Sequence, residues 1–372
     1  MTHAVMKKTA ATVLAIAVLL AGLPLAGVAL KGAPVGQYLE FPPLTRYVDH
    51  AGFSIAVFSL LGLFFTAVFL LIGIALRMGL KHTAAATRPP AAPFPWWGWT
   101  GLAVTLGGWV LAWNRFPWLG QLQYHTFLPL WLGYILVVNG LCVRRSGSSL
   151  LTGAPGRFVL LFPASAIFWW FFEYLNRFVQ NWYYLNLEHF TPGAYILFAT
   201  LAFSTVLPAV ISTTRLLQTF PLFHTGLQAL IPIRPRAPRR LSLAALILSG
   251  AGLLLIGIFP DILFPLLWVS PLLIIISLQS IIGGKTIFPP LAQGDWGLIL
   301  SSTLAALVCG FFWELWNVGS LARWEYAIPY VHCCKVFEMP ILGYLGYLPF
   351  GLECMVVERG IMGHAGGITL RQ

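Results

Sequence analysis

Two stretches of the chain carry a carboxylate in the same aromatic setting, and these carboxylates are the side chains best suited to chemistry. Residues 168–184 read FWWFFEYLNRFVQNWYY, and residues 311–326 read FFWELWNVGSLARWEY. In each, a Glu follows an aromatic run, an Asn comes three residues later, and a Trp and a Tyr follow. Because both acids end long apolar segments, where an ionisable group costs about 2.5–3.5 kcal/mol, we expect them to be functional. The pairs are Glu173 with Asn176 and Glu314 with Asn317.

The surroundings of these acids predict acid–base chemistry. Residues three apart share a helix face, so each Asn is expected to point the same way as its Glu and to orient it. A carboxyl group among Trp side chains is poorly solvated, which favours the protonated form, and a protonated carboxyl is a general acid. Trp and Tyr rings also stabilise cations. We therefore predict Glu314, Glu173, Asn317 and Asn176 as catalytic residues, with Trp182, Trp324, Tyr326 and Arg177 around the substrate.

A structural interpretation of the same residues stays open. Glu and Asn side chains also hydrogen-bond between membrane helices and fix their packing. This alternative applies most strongly to Glu173, because Arg177 lies one helical turn further on and is expected to pair with it.

Composition predicts an all-α, polytopic integral membrane protein. Hydrophobic residues make up 58% of the 372 residues and charged residues 9%, against roughly 45–50% and 25% in soluble domains. Several apolar runs exceed the roughly 20 residues that cross a bilayer. We predict a single membrane domain, 1–372, of about ten transmembrane helices, at residues 10–30, 52–76, 97–114, 125–143, 157–175, 193–214, 241–259, 262–282, 296–316 and 339–357.

The distribution of basic residues predicts the orientation. With a cytoplasmic N-terminus, 16 of the 22 Lys and Arg residues fall on the cytoplasmic side, as expected for an inner-membrane protein with both termini inside. The net charge of +11 is then explained by anionic membrane lipids as partners. No segment is long and polar enough to form a nucleic-acid-binding domain, so we predict no nucleic-acid partner. Protein partners cannot be predicted. Both Glu-x-x-Asn pairs end their helices at the outer leaflet in this topology.

Three helical hairpins look like variants of one unit. They are 97–143, 157–214 and 296–357, each with an Asn near the end of its first helix, a Trp-containing outer loop and a returning helix. All three have the same direction across the membrane, so they are expected to be parallel repeats. The first copy has Leu111 in place of the Glu. The remaining spans are two helices at 10–76 and the region 241–282. The first helix follows Lys7 and Lys8 as a signal peptide would, but its apolar run is longer, so an uncleaved anchor is favoured. The region 241–282 is either one long segment broken around Pro260 or two tightly turned helices.

Further candidates lie in the outer loops. Glu338, two residues before Pro340, is expected either to cap a helix start or to join the site. His125 opens the fourth span on the outer side and is a candidate substrate-binding residue. Cys333 and Cys334 follow a His, but adjacent ligands rarely suit a tetrahedral metal site. We therefore predict no metal and no cofactor.

The C-terminal hairpin carries a resemblance. The run FFWELWNVGSLARWEYAIPY, followed by FEMPILGYLGYLPFGLE, resembles a family of bacterial polytopic membrane proteins. More distantly, it is similar to the membrane lycopene-cyclase domain and related carotenoid hydratases. In that likeness Glu314 matches an intramembrane acid of the family, and Trp324 matches a Trp that follows this acid. Glu338 together with Pro340 matches a second acidic element. The resemblance implies acid chemistry on an isoprenoid.

Three functions remain open from the sequence. The first is acid-catalysed chemistry on an isoprenoid or lipid at an aromatic site facing the outer leaflet, with a hydrophobic small molecule as substrate. The second is a proton-coupled transporter for a lipid-like or organic solute. The third is a non-catalytic subunit of a membrane complex. Acids in a pocket that opens sideways to the lipid would favour the enzyme. Acids with a path to both sides of the membrane would favour the transporter, and fully buried and paired acids would favour the non-catalytic subunit.

Overall fold

The chain folds almost entirely into helices, as the composition predicts. A computed structural model describes residues 3–43, 45–83, 92–284 and 286–362. Its α-helices are α1 His3–Leu30, α2 Ile55–His82, α3 Trp96–Trp113, α4 Gly120–Gln123, α5 Phe127–Ser146, α6 Leu150–Gly153, α7 Pro155–Val179, α8 Pro192–Phe203, α9 Val206–Gln218, α10 Pro221–His224, α11 Pro238–Ile256, α12 Pro260–Leu263, α13 Ser270–Ile281, α14 Gly297–Gly319 and α15 Tyr347–Met362.

The remaining regular structure is short. Two antiparallel ribbons are formed by β1 with β2 and by β3 with β4. The strands are β1 Trp182–Leu185, β2 Arg323–Tyr326, β3 Lys335–Val336 and β4 Met339–Pro340. The 3₁₀ segments are Gly36–Tyr38, Pro117–Leu119, Gly226–Ala229, Phe264–Trp268, Pro289–Gln293 and Ile341–Gly346.

The structure has fewer helices suited to crossing a membrane than the ten predicted. Among the described residues, seven spans are long and apolar enough, and an eighth is the pair Pro260–Trp268 and Ser270–Ile281, bent by 52°. The segment at 193–214 is α8 followed directly by α9. Helices α1 and α3, predicted as spans, are not among the seven, so the number ten is not confirmed. The fold is nevertheless a polytopic helical membrane protein.

Local sequence explains where the main helices begin and end. The Ser54 side chain accepts a hydrogen bond from the Val57 N–H and caps α2. Pro155 and Pro192 start α7 and α8, where the missing N–H of proline is not needed. Helix α5 ends at Gly147 with φ +75°, a left-handed conformation that glycine adopts without a steric penalty. Helix α7 has Gln180 in the left-handed conformation at its C-terminal cap, in place of a glycine.

The helices pack into one bundle around α14. Helix α14 contacts α9, α15, α10 and α3, while α1, α11 and α13 contact one another beside this group. The three predicted hairpins fold as neighbouring helices: α3 with α5, α7 with α8 and α9, and α14 with α15. That they are copies of one unit stays a prediction. The first residues of β1 and β2 lie just beyond the ends of α7 and α14, so both Glu-x-x-Asn pairs lie at the same end of the bundle.

Close packing of α3 against α5 generates a stability prediction. A Cβ atom at Gly133 would lie 2.7 Å from the Gly101 carbonyl oxygen, so the two backbones approach as in small-residue packing of membrane helices. We expect Gly133→Ala to destabilise the protein by about 1–3 kcal/mol through overpacking. Thermal unfolding in detergent measures this. Gly107→Ala on α3, where a Cβ meets nothing within 4 Å, is the control and is expected to leave stability unchanged or slightly raised. Equal stabilities would contradict the packing.

Candidate active site

Glu173 lies fully buried on α7 with three donors around one carboxyl oxygen. Its exposed fraction is 0%. Oε1 accepts hydrogen bonds from the Tyr184 hydroxyl at 2.6 Å and from Trp169 Nε1 and Trp182 Nε1 at 3.1 Å each. Tyr184 and Trp182 belong to β1, and Trp169 lies one turn earlier on α7. Strand β1 and helix α7 together therefore enclose this carboxyl group.

Glu314 lies in a matching position on α14, also 0% exposed. Oε1 accepts from the Tyr326 hydroxyl at 2.6 Å and from the Tyr347 hydroxyl at 2.9 Å. Trp324 Nε1 donates to the Tyr326 hydroxyl at 2.8 Å, which extends the network by one step. Burial, then the neighbouring Glu314, raises the pKa of Tyr326 well above its usual range. Tyr326 therefore keeps its proton and remains a donor.

The two Asn residues hold the strands rather than the acids. Asn317 Nδ2 donates to the Trp324 carbonyl at 2.7 Å, and its Oδ1 accepts from the Trp324 N–H at 2.9 Å. Asn176 likewise donates to the Trp182 carbonyl at 2.8 Å and accepts from the Trp182 N–H at 3.4 Å. The expectation that each Asn orients its Glu directly is wrong, because both ends of each amide are used by the backbone. The Asn residues are positioning residues.

The β1–β2 ribbon joins the two carboxyl sites. Trp182 pairs with Tyr326 and Tyr184 with Trp324, so each strand presents a Trp opposite the other strand's Tyr. Residues two apart in a strand point to the same face, and these four therefore share the face towards the acids. The central pair, Tyr183 with Glu325, takes the other face.

The outer face of the ribbon has its own polar contacts. The Tyr183 hydroxyl donates to Glu325 Oε2 at 2.9 Å, and Arg323 Nη2 lies 3.2 Å from Glu325 Oε1. Burial, then the hydrogen bond to Glu325, raises the pKa of Tyr183 to about 12. Tyr183 therefore stays a donor at neutral pH and ties the middle of the ribbon together.

One aromatic cavity meets both networks. Its volume is about 230 Å³. All six side chains in the two hydrogen-bond networks line it, so it borders both acids through Tyr and Trp, while the carboxyl groups themselves do not line it. We call it the aromatic cavity, and its other walls are apolar apart from His125, Arg323 and the hydroxyl-bearing Tyr124 and Tyr195. The lining includes Trp169, Trp182, Tyr184, Trp324, Tyr326, Tyr347, Phe127, Phe190, Phe198, Leu201, Trp268, Trp313, Met339, Gly343 and Gly346.

The aromatic cavity reaches the lipid-facing surface at α8. Phe198 and Leu201 line it and are also 37% and 39% exposed. Exposed apolar side chains on a membrane span face acyl chains, so this wall borders the lipid phase. His125, at the start of α5, lies beside this wall with its ring 4.0 Å from that of Phe198. Burial lowers the pKa of His125, which is consistent with its apolar surroundings.

Each carboxyl group has one oxygen without a partner among the described residues. Oε2 of Glu173 and Oε2 of Glu314 are buried, and no described side chain or backbone group donates a hydrogen bond to either. Within the described ranges, no ion pair involves either acid. A buried polar group without a partner is costly, and such groups in native structures call for an explanation such as catalysis or an ordered water. The unpartnered oxygens are therefore positions where a proton or a water could be held.

Arg177 and Glu338 lie elsewhere than predicted. Arg177 does not pair with Glu173: its Nη1 donates to the Gln37 carbonyl at 3.4 Å, in the loop after α1. That expectation is wrong because α7 is covered at this point by a distant segment. Glu338 lies in the turn between β3 and β4, with Lys335 Nζ at 3.5 Å. It does not start a helix, since the β3–β4 ribbon precedes the 3₁₀ segment.

The first hairpin has no acid at the corresponding position and instead makes hydrogen bonds to the end of α14. It has Leu111 where the other two have Glu, and among the described residues the Asn114 side chain bonds only the Val110 carbonyl of its own helix. Trp113 Nε1 donates to the Leu315 carbonyl at 3.2 Å, and Arg115 donates to the Gly319 carbonyl at 3.0 Å. These contacts satisfy carbonyl groups in the last turns of α14, close to Glu314.

Comparisons with protein-family models, with curated proteins and with solved structures gave no match. The similarity to the lycopene-cyclase domain therefore stays a prediction from the residues that carry it. Within the described residues, no group of three His, Cys, Asp or Glu side chains is arranged to hold a metal ion.

The Asn contacts give a prediction that separates positioning from packing. Asn317→Ala leaves the N–H and the carbonyl of the partly buried Trp324 without this partner, which is expected to cost about 1–3 kcal/mol of stability. Asn114→Ala is the matched control, because that exposed side chain bonds only one carbonyl of its own helix. Its cost is expected to stay below about 0.5 kcal/mol. Thermal unfolding measures both, and equal losses would show that Asn317 does not hold the strand.

Proposed function

We propose that the aromatic cavity binds an apolar isoprenoid or lipid and that the protein acts on it by acid catalysis, with Glu314 as the proton source. The observation that carries the proposal is that the donors of two buried carboxyl groups line one apolar cavity. The substrate would enter from the lipid phase past Phe198 and Leu201, since these residues belong both to the cavity and to the lipid-facing surface.

The tyrosine hydroxyls are the groups that would touch the substrate. Tyr326 and Tyr347 lie between Glu314 and the aromatic cavity, and both hydroxyls donate to Glu314 Oε1. A hydroxyl both donates and accepts, so it can pass a proton on while taking another. In the proposed step, a hydroxyl protonates a carbon–carbon double bond and is reprotonated by Glu314. The resulting carbocation lies among Trp and Tyr rings, whose faces stabilise cations.

Glu173 would complete the reaction as the acceptor. Tyr184, whose hydroxyl donates to Glu173, also lines the aromatic cavity. Loss of a proton from the carbon next to the cationic centre, through Tyr184 to Glu173, would restore a double bond. The net change in the substrate is an isomerisation or ring closure with no atoms gained or lost, and one proton has moved from Glu314 to Glu173. Proton exchange with water would then restore both carboxyl groups before the next turnover, so the proposal needs no cofactor.

The prediction for this mechanism concerns two conservative substitutions. Glu314→Gln keeps an acceptor for both tyrosines but removes the titratable proton, and Tyr326→Phe removes the hydroxyl next to the cavity. We expect each to lower product formation by about 10²–10⁴-fold. Products are measured as isoprenoid and pigment profiles of a deletion strain carrying each variant, and as lipids extracted from the purified protein.

The control for this experiment is Glu188→Gln, on the exposed side of the loop after β1. It is expected to match the wild type in profile and in melting temperature. Full activity of Glu314→Gln, or its failure to fold while Glu188→Gln folds, would favour the structural role for Glu314. No bound lipid and no change of profile on deletion would favour a non-catalytic subunit.

A proton-coupled transporter is the second candidate, favoured by Glu353. This residue of α15 is 0% exposed, and neither of its carboxyl oxygens has a hydrogen-bond partner among the described residues. Along α15 it lies between Tyr347, which lines the aromatic cavity, and Glu358, which pairs with Arg215. Arg215 lines a second, polar cavity of about 280 Å³. A path from one cavity to the other would serve transport. Solute-dependent proton uptake by proteoliposomes, without a chemical product, would support this candidate over the enzyme.

The proposed setting is the inner membrane, with both termini in the cytoplasm and the aromatic cavity at the outer leaflet. The excess of Lys and Arg on one side supports it. We expect reporter fusions after residue 90 and after residue 330 to lie on opposite sides, with residue 90 cytoplasmic. An alkaline phosphatase and a green fluorescent reporter at each position measure this. The same side for both would contradict the topology.

A further inference from the structure

Two adjacent cysteines stand apart from the other three. Cys333 and Cys334 lie in the loop before β3 with their Sγ atoms 3.2 Å apart, and Cys334 is exposed. Cys142, Cys309 and Cys354 are buried within helices, with at most 2% exposure. Reagents in water therefore reach the adjacent pair and not the others. Since thiol chemistry depends on access, the pair is the reactive site among the cysteines.

The backbone around the pair holds the two thiols together. Cys334 has φ +52°, Tyr330 in the same loop has φ +61°, and Phe337 in the β3–β4 turn that follows has φ +57°. Left-handed backbone is uncommon for residues other than glycine and costs about 1–3 kcal/mol when the surrounding structure imposes it. The hydrogen bonds that hold the loop beside the cysteines include one from the Cys333 N–H to the Val331 carbonyl and one from the Ile341 N–H to the Cys334 carbonyl. The backbone is therefore strained at the position where the two sulfur atoms lie close together.

We propose that Cys333 and Cys334 form a reversible thiol–disulfide site that reacts with disulfide donors. The exposed Cys334 thiolate attacks one sulfur of the donor, the donor's S–S bond breaks, and one donor thiolate leaves. The Cys333 thiolate then attacks Cys334 Sγ and displaces the second donor thiolate. Two cysteine thiols are oxidised to one disulfide, the donor is reduced to two thiols, and the two protons pass to the leaving thiolates.

The pair is connected to the wall of the aromatic cavity. The Cys334 carbonyl accepts from the Ile341 N–H at 3.1 Å, at the first residue of the Ile341–Gly346 segment. Gly343 and Gly346 of that segment line the cavity, and Tyr347, which bonds Glu314, follows directly. Closing a ring at residues 333–334 restricts the backbone that carries this wall. The inference depends on the position of the cavity and not on the reaction proposed for it.

The test follows the oxidation state of the pair in the full-length protein. Purified protein is equilibrated with glutathione buffers of increasing disulfide content, quenched with acid, and alkylated with N-ethylmaleimide. Peptide mass spectrometry is expected to show the 333–334 peptide changing from doubly alkylated to unalkylated and two hydrogens lighter, without disulfide links between chains. Double alkylation throughout, while an added reference dithiol oxidises, would overturn the proposal. So would stable glutathione adducts or links between chains in place of the internal disulfide.

Two further measurements test the pairing and its effect on the cavity wall. Phenylarsine oxide, which binds two neighbouring thiols, is expected to protect both cysteines from alkylation in the wild type and in Cys142→Ser, but not in Cys334→Ser. Loss of protection in Cys142→Ser would contradict the assignment. Hydrogen exchange at Ile341 is expected to be slower in the oxidised protein. Unchanged exchange across residues 339–347 would show that the disulfide does not reach the cavity wall.

Discussion

The hydrogen bonds from the β1–β2 ribbon to Glu173 and Glu314 are the interactions on which the candidate site depends. A carboxyl group without donors in an apolar bundle is costly, and neither acid has a cationic partner within the described residues. The ribbon supplies donors to both, and Asn176 and Asn317 fix the ribbon through the Trp backbone. One short ribbon therefore supplies four of the six side chains in the two hydrogen-bond networks, and all four line the aromatic cavity.

The two acids are not equivalent, although the strand register relates them. Glu173 accepts from two indoles and one hydroxyl, and Glu314 accepts from two hydroxyls. An indole N–H can only donate, whereas a hydroxyl can donate and accept. Two routes therefore allow a proton to pass between Glu314 and the aromatic cavity, and one allows it for Glu173. This difference is the structural reason for giving Glu314 the role of proton source.

The sequence predicts the local features of the site. It does not predict the contacts between residues that are far apart in the chain. Apolar runs indicate the helices, and the recurring Glu, Asn, Trp and Tyr mark the residues around both acids. Four-residue strands after a helix carry too short a pattern to predict that β1 pairs with β2. Tyr347, 33 residues after Glu314, and Gln37, 140 residues before Arg177, have no local signal either. Both contacts arise from packing between elements distant in the chain.

The break between α8 and α9 explains how one span can face the lipid in its first half and pack in the protein core in its second half. Ser165 of α7 donates to the Phe203 carbonyl at 2.6 Å and accepts from the Leu207 N–H at 2.9 Å. It thereby satisfies backbone groups next to an interruption in a membrane helix, where water cannot be relied on to do so. Before the break only Phe203 of α8 is buried, and after it nine consecutive residues of α9 are buried. The interrupted span thus provides a cavity wall bordered by lipid while its second half anchors the bundle.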